Sequence, residues 1–184
     1  MKIYLAGPDV FLPDALTIGQ RKVAICARYG LIGLYPLDTP VDRNAESASL
    51  AIFKNNQEMM DSSDAIIANL TPFRGAGADP GTVYELGYMA GRQKLCLGYS
   101  NDPRLYAERV RDFTQVTSHE DRLVDRDGLT VEDFALADNL MTIHGLDLHG
   151  RPLIVPKQAP SDLWHDFSAF EVCVRVAAER LKQP

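Results

Sequence analysis

The chain is poor in the residues that build covalent or metal-held frameworks. It has three cysteines in 184 residues, an odd number without C-x-x-C spacing. Neither a disulfide framework nor a thiolate zinc site is therefore expected, and a reducing cytosol is the natural setting. Cys96 and Cys173 sit inside apolar runs and read as small core hydrophobes. No apolar stretch approaches the roughly 18 residues of a membrane span, and Gly7-Pro8 interrupts the N-terminal run too early for a signal sequence. Positive charge is also scarce, with 19 Lys and Arg against 25 Asp and Glu for a net charge of −6. That balance argues against nucleic acid as a partner. The histidines, His119, His144, His149 and His165, lack metal-ligand spacing, and Asp125-x-Asp127-Gly128 lacks the opening and closing ligands of a calcium loop. No metal or cofactor is expected. Neither G-x-G-x-x-G nor G-x-x-x-x-G-K-[ST] occurs, so the glycines of Gly75-Ala76-Gly77 read as turn residues rather than a phosphate cradle.

What is present is an ordinary globular composition, 46% hydrophobic and 24% charged, at a length suited to one domain over residues 1–184. Apolar runs at Ile3–Ala6, Leu31–Tyr35, Asp64–Leu70 and Lys94–Tyr99 read as strands. Helical spacing joins them over Pro13–Tyr29, Ser47–Met60, where Leu50, Phe53, Met59 and Met60 supply the apolar surface, and from Asp79-Pro80 onward, where Asp caps and Pro opens the helix. Residues 37–46 read as polar loop. The order β-α-β-α-β-α-β predicts an α/β three-layer domain with a mostly parallel sheet. Beyond residue 100 the pattern predicts loop over 117–130, a helix over Val131–Met141 and a closing helix over Ser161–Leu181.

Ligands of open α/β sheets bind beyond the carboxyl ends of the strands. In this chain that edge carries Gly7-Pro8-Asp9, the loop Thr71–Ala78, Asp79 and Glu85. A carboxylate in the second turn of a helix feels the positive helix end, and an ionised carboxylate is what attack on an anomeric carbon requires. The residue pattern alone permits a plainer reading. With Val83, Leu86, Gly87 and Ala90 taken as the core stripe, Glu85 lies on the opposite, solvated face, and Asp79 is only a cap.

Three segments carry a resemblance: Ile3-Tyr4-Leu5-Ala6-Gly7-Pro8-Asp9-Val10-Phe11, Asp64–Leu70, and Asp79-Pro80-Gly81-Thr82-Val83-Tyr84-Glu85-Leu86-Gly87. A fourth runs from Val131-Glu132-Asp133-Phe134 to Asp138-Asn139-Leu140-Met141. In these the sequence resembles the nucleoside 2-deoxyribosyltransferase family. The resemblance implies a flavodoxin-like fold and a double displacement in which Glu85 attacks C1′ of a 2′-deoxynucleoside and a second free nucleobase completes the transfer with retention. It implies that Tyr4 orients Glu85, that Asp79 holds the sugar 5′-hydroxyl, and that Asn139 reaches that hydroxyl from a neighbouring subunit of a homo-oligomer. Phe11 and Asp9 would meet the base. Asn56 stands where lactobacillal members carry an aspartate that handles the leaving base, and an amide has no proton to give. Arg74, in the same loop region, reads as active-site cation or solvated surface. Two rival readings share the scaffold: hydrolysis of nucleoside 5′-monophosphates, whose enzymes carry a Ser/Arg/Gly-rich loop where this chain has Gly7-Pro8-Asp9-Val10-Phe11-Leu12-Pro13, and a non-catalytic nucleotide-binding module.

Overall fold

The alternation of the first strand decides which side of the sheet each functional residue faces. In β1 (Lys2–Ala6) Ile3 and Leu5 turn to one face and Tyr4 and Ala6 to the other, all of them buried, as the two-residue period of a strand requires. In the computed structural model, which describes residues 1–38 and 46–182, β1 is flanked by parallel β2 (Ile32–Leu34) and β3 (Ala65–Asn69), and β3 by β4 (Leu95–Tyr99). The order β2-β1-β3-β4 is prolonged at the β4 edge by single parallel bridges, Cys96 to Gly150 and Tyr99 to Ile154. This is the α/β, flavodoxin-like arrangement expected from the alternating pattern.

Helices α1 (Ala15–Arg28) and α6 (Ser168–Leu181) pack on the Ile3/Leu5 face. They join Ile18, Cys26, Phe170, Cys173 and Val174 to Ile67, Leu97 and Tyr99. On the Tyr4 face, α3 (Pro80–Gly91) and α5 (Leu140–His149) contribute Leu86, Met89 and Leu146, and α2 (Ala48–Asp61) contributes Met60. Cys26, Cys96 and Cys173 are free and buried. Leu50 and Phe53, expected to serve the core from α2, are exposed, and Met60 is the buried residue of that helix.

Three expectations fail for identifiable reasons. Residues 117–130 are not loop: β5 (Val116–His119), β6 (Arg122–Asp125) and β7 (Thr130–Val131) form a small antiparallel sheet. Its turns use Glu120 at φ 53° and Gly128 at φ 80°, and its largely exposed strands lack the apolar face that would have marked them. No helix spans Val131–Met141. Ala135 adopts φ 55°, Glu132 accepts the Leu140 N–H at 3.2 Å and Asp138 the Asn139 N–H at 2.8 Å, so α5 begins only at its Asn139 cap. The closing helix starts at Ser168 because Asp162 captures the Trp164 and His165 N–H groups and Asp166 captures that of Ser168, the local competition these side chains offer a helix. A five-residue α4 (Tyr106–Val110) was not anticipated. The loop expected at 37–46 lies mostly outside the described residues.

Packing is close where α1 crosses Tyr35. A Cβ on Gly19 would lie 2.4 Å from the buried Tyr35 ring. Gly19→Ala is therefore expected to destabilise the protein by ~1–3 kcal/mol through overpacking, outweighing the ~1 kcal/mol that alanine gains in a helix interior. Urea denaturation of the two proteins measures the difference.

Candidate active site

Glu85 is presented by α3, whose start is fixed by its own sequence. Asp79 caps the helix by accepting the Thr82 N–H at 2.8 Å and the Thr82 hydroxyl at 3.0 Å, both on Oδ2, and Pro80 opens the first turn. The residues of α3 turned to the core are Thr82, Leu86 and Met89, while Gly87 is exposed. Glu85 borders that stripe rather than opposing it, which corrects the face read from the sequence. It is half-buried and meets Tyr4 across the sheet face. The Tyr4 hydroxyl donates to Glu85 Oε1 at 2.6 Å, and Asn56 Nδ2, from α2, approaches the same oxygen at 3.4 Å. Both donors fall on Oε1. Among the described residues no donor is found on Oε2.

Burial governs the electrostatics. Desolvation raises the Glu85 carboxyl to about 7, aided by the nearby Asp79 charge and opposed by the Tyr4 and Asn56 hydrogen bonds. The helix end was expected to favour the ionised form, but desolvation outweighs whatever favours the charge and the net shift is upward. Burial, and then the Glu85 charge, pushes the Tyr4 phenol far above its usual range, so Tyr4 remains a donor. Asn56 Oδ1 is buried without a hydrogen-bond partner.

Glu85, Asn56 and Asp79 line a cleft of about 1000 Å³ at the carboxyl edge of the sheet, and the buried Tyr4 holds Glu85 from beneath it. Its polar end holds Asn55, Asn56, Asp79, Thr82 and Glu85, and its apolar end Val10, Phe11, Leu12, Leu16, Leu37 and Ile52. Phe11 is 56% exposed and stacks on Phe73, with centroids 5.3 Å apart and planes at 14°. The cleft thus pairs a hydrogen-bonding end carrying two carboxylates with a flat apolar end. It suits a ligand with a hydroxylated and a planar half. Among the described residues no three His, Cys, Asp or Glu side chains converge as a metal ion would need.

Asn56, Asp79, Glu85 and Phe11 come together in this cleft, with Tyr4 joined to them through Glu85, whereas two other expected residues do not join them. Asp9 is 1% exposed and turned inward, ion-paired with buried Lys22 and accepting from Asn69 Nδ2 at 2.8 Å. Its charge is compensated there, so it neither faces a base nor repels a phosphate. Asn139 caps α5, accepting the Met141 N–H at 3.0 Å and donating to Glu132 at 2.8 Å, and does not line its own protomer's cleft. Sequence reasoning assigned no role to Thr82, although its place three residues after Asp79 marks a cap partner. The stacking of Phe73 on Phe11 joins residues distant in the chain and had no local signal.

The raised Glu85 carboxyl has a cost in stability. Above pH 7 it is charged in folded and unfolded chains alike, and the difference between about 7 and 4.5 corresponds to ~3 kcal/mol against folding. As pH falls through 7 toward 4.5 the cost shrinks, and below both values it vanishes. Glu85→Gln, which keeps an acceptor for Tyr4, should therefore be up to ~3 kcal/mol more stable than the parent at pH 8 and converge with it near pH 4. Urea titrations at the two pH values read this, and equal stability at pH 8 would contradict it.

Comparison with known proteins places this geometry in a family. Residues 3–141 match the family model described as nucleoside 2-deoxyribosyltransferase. A 2-deoxyribosyltransferase from Leishmania mexicana superposes with a TM-score of 0.64 at 30% identity, over 94% of this chain and 96% of that one. A conserved protein from Enterococcus faecalis shares the fold, with a TM-score of 0.60 at 20% identity over 97% and 98% of the two chains. An uncharacterized protein of Schizosaccharomyces pombe is 33% identical over 97% of this chain and 89% of its own length. The family match over residues 3–141, together with the fold shared at 30% identity, shows that the chain belongs to the nucleoside 2-deoxyribosyltransferase family.

Proposed function

We propose that the protein transfers 2-deoxyribose between nucleobases through a covalent deoxyribosyl-Glu85 intermediate, as an enzyme of nucleoside salvage. The observation that carries this reading is the Glu85 carboxylate itself: Oε1 is occupied by Tyr4 and Asn56, which leaves Oε2 as the attacking atom. Oε2 forms a bond to C1′ as the C1′–N bond breaks, and the departing base keeps that electron pair and is protonated by solvent, since Asn56 holds no acid. A nitrogen of a second base then attacks C1′ from the face the first one left, expels the carboxylate and loses its proton. Two inversions give retention. Positive charge developing on the sugar is stabilised by Glu85 and Asp79. Asp79 has Oδ1 free of the Thr82 bonds and accepts the 5′-hydroxyl. Phe11 offers a face to the base, and the unpartnered Asn56 Oδ1 accepts a hydrogen bond from the substrate.

The same reading makes the protein a homo-oligomer in which Asn139 completes a neighbouring subunit's site. That fits its absence from its own cleft and the exposed Leu50, Ile52, Phe53 and Tyr84 beside the rim. Free nucleosides and bases are the small-molecule partners, and the three unpaired buried cysteines fit a reducing cytosol.

Incubating the protein with 2′-deoxyadenosine and hypoxanthine is expected to yield 2′-deoxyinosine by chromatography. Release of adenine without any exchanged nucleoside would instead make it a hydrolase. Glu85→Ala should lower exchange by at least about 10³-fold while substrate still binds. A pH profile tests the Tyr4 contact. Activity needs ionised Glu85 and should rise through about pH 7. Tyr4→Phe removes a bond that favours the carboxylate, so its acid limb should move to higher pH. An unmoved limb would assign Tyr4 to packing alone.

A further inference from the structure

The loop that follows β3 ends in a cation that none of the roles above employs. The loop Thr71–Ala78 is closed by the Phe73 N–H donating to Gly77 O at 3.0 Å. It is pinned from behind by Arg109 Nε to Ala76 O at 2.8 Å and by the Ala78 N–H to Asp138 Oδ2 at 3.0 Å. Arg109 is 1% exposed, so the anchor lies inside the fold. At the tip Arg74 adopts φ 54°, a left-handed conformation that a side-chain-bearing residue keeps only where its surroundings enforce it. The rigid loop lays the guanidinium over two rings, 4.6 Å from the Phe73 centroid and 5.3 Å from that of Phe11. The edge of Trp164 backs Phe73 at 6.2 Å. Among the described residues Arg74 has no carboxylate partner. Arg74 is exposed, so among the described residues its guanidinium is held by the rings while its N–H donors face solvent.

The position of this cation relative to the cleft gives it a use. The charged side chains lining the cleft are Asp79 and Glu85, both at the sugar end, while Phe11 forms part of the apolar end. A base seated beside Phe11 comes up against the rim where Arg74 rests on that same ring. A guanidinium is a planar fork of donors, and the feature it matches best on a base is the adjacent pair of acceptors N7 and O6 of a 6-oxopurine. A 6-aminopurine puts a donor where O6 would be, and a pyrimidine has no imidazole ring to supply N7 beside it. Resting on the transferase reading above, we infer that Arg74 selects the base and that the preferred bases are 6-oxopurines, hypoxanthine and guanine. Trp164 and Phe73 are positioning residues that hold the rings on which Arg74 stacks.

The test is a partition experiment. One donor, 2′-deoxyguanosine, is offered equal concentrations of hypoxanthine and adenine, and the ratio of 2′-deoxyinosine to 2′-deoxyadenosine formed is measured. Because both products come from one intermediate, the ratio is independent of how fast the donor reacts. The parent is expected to favour 2′-deoxyinosine, and Arg74→Gln to lower the ratio about 10-fold or more, the discrimination of one bidentate contact. Arg74→Lys, which keeps the charge and loses the fork, should fall most of the way with it. A ratio unchanged within about 2-fold overturns the inference, whether or not the overall rate drops. Calorimetric titration of each free base into the folded parent and Arg74→Gln provides the same comparison without turnover. If neither base is ever converted, the transferase reading fails by itself, and the calorimetric ratio still decides for or against Arg74.

Discussion

A buried ion pair holds the carboxyl edge of the sheet together. Lys22, 2% exposed, comes from α1, reaches across to Asp9 in the turn after β1, and lies over the rings of Tyr99 and Phe170 at 5.6 and 5.3 Å. The contact continues as a chain. Asp9 accepts from Asn69 at the end of β3, Asn69 Oδ1 accepts the Thr71 N–H, the Thr71 hydroxyl accepts the Asn101 N–H, and Asn101 Nδ2 donates to Leu163 O and Asp166 O. One run of hydrogen bonds thereby joins the ends of three strands to the segment that carries Trp164. Desolvating a charge pair is expensive, and such a pair is tolerable only when its remaining valences are filled, as both Asp9 oxygens are. The position of Phe11, two residues beyond Asp9, follows from it, and so does that of Phe73, two beyond Thr71.

Against this edge Glu85 is placed where its burial costs the fold stability. Glu85 sits at the seam between the core stripe of α3 and the cleft, close enough to Tyr4 to be held and buried enough for its charge to oppose folding. Catalytic carboxylates commonly occupy such positions, because the desolvation that disfavours the charge also makes it the stronger nucleophile and strengthens every field inside the site. The bond from Tyr4 has a simple origin in β1: an odd shift in register would have sent the phenol to the α1–α6 face and left Glu85 alone.

The parallel half of the fold was legible because its strands are apolar on both faces and its helices are bounded by strong punctuation, Gly7-Pro8, Gly30 and Asp79-Pro80. The second half was not. Its three-stranded sheet is polar, and Glu120 in a turn of that sheet and Ala135 beyond it are left-handed, for which neither composition nor periodicity gives a sign. Asp138 and Glu132 look like helix residues by spacing, yet their side chains are spent on backbone N–H groups. In the site, Tyr4, Asp79 and Glu85 were identified by motif, and their assembly follows from strand alternation and a cap. The inward turn of Asp9 was hidden because its partner, Lys22, lies in a helix whose pattern reads as ordinarily amphipathic.

The carboxylate site and the stack of rings beside it rest on different kinds of backbone. Glu85, Tyr4 and Asn56 stand on a helix, a strand and a second helix, while Phe11, Phe73 and Arg74 stand on connections between elements. Connections tolerate replacement far better than the elements they join. The hydrogen-bonded carboxylate is therefore the part least free to vary, while the stack of two rings and a guanidinium can diverge without disturbing the fold.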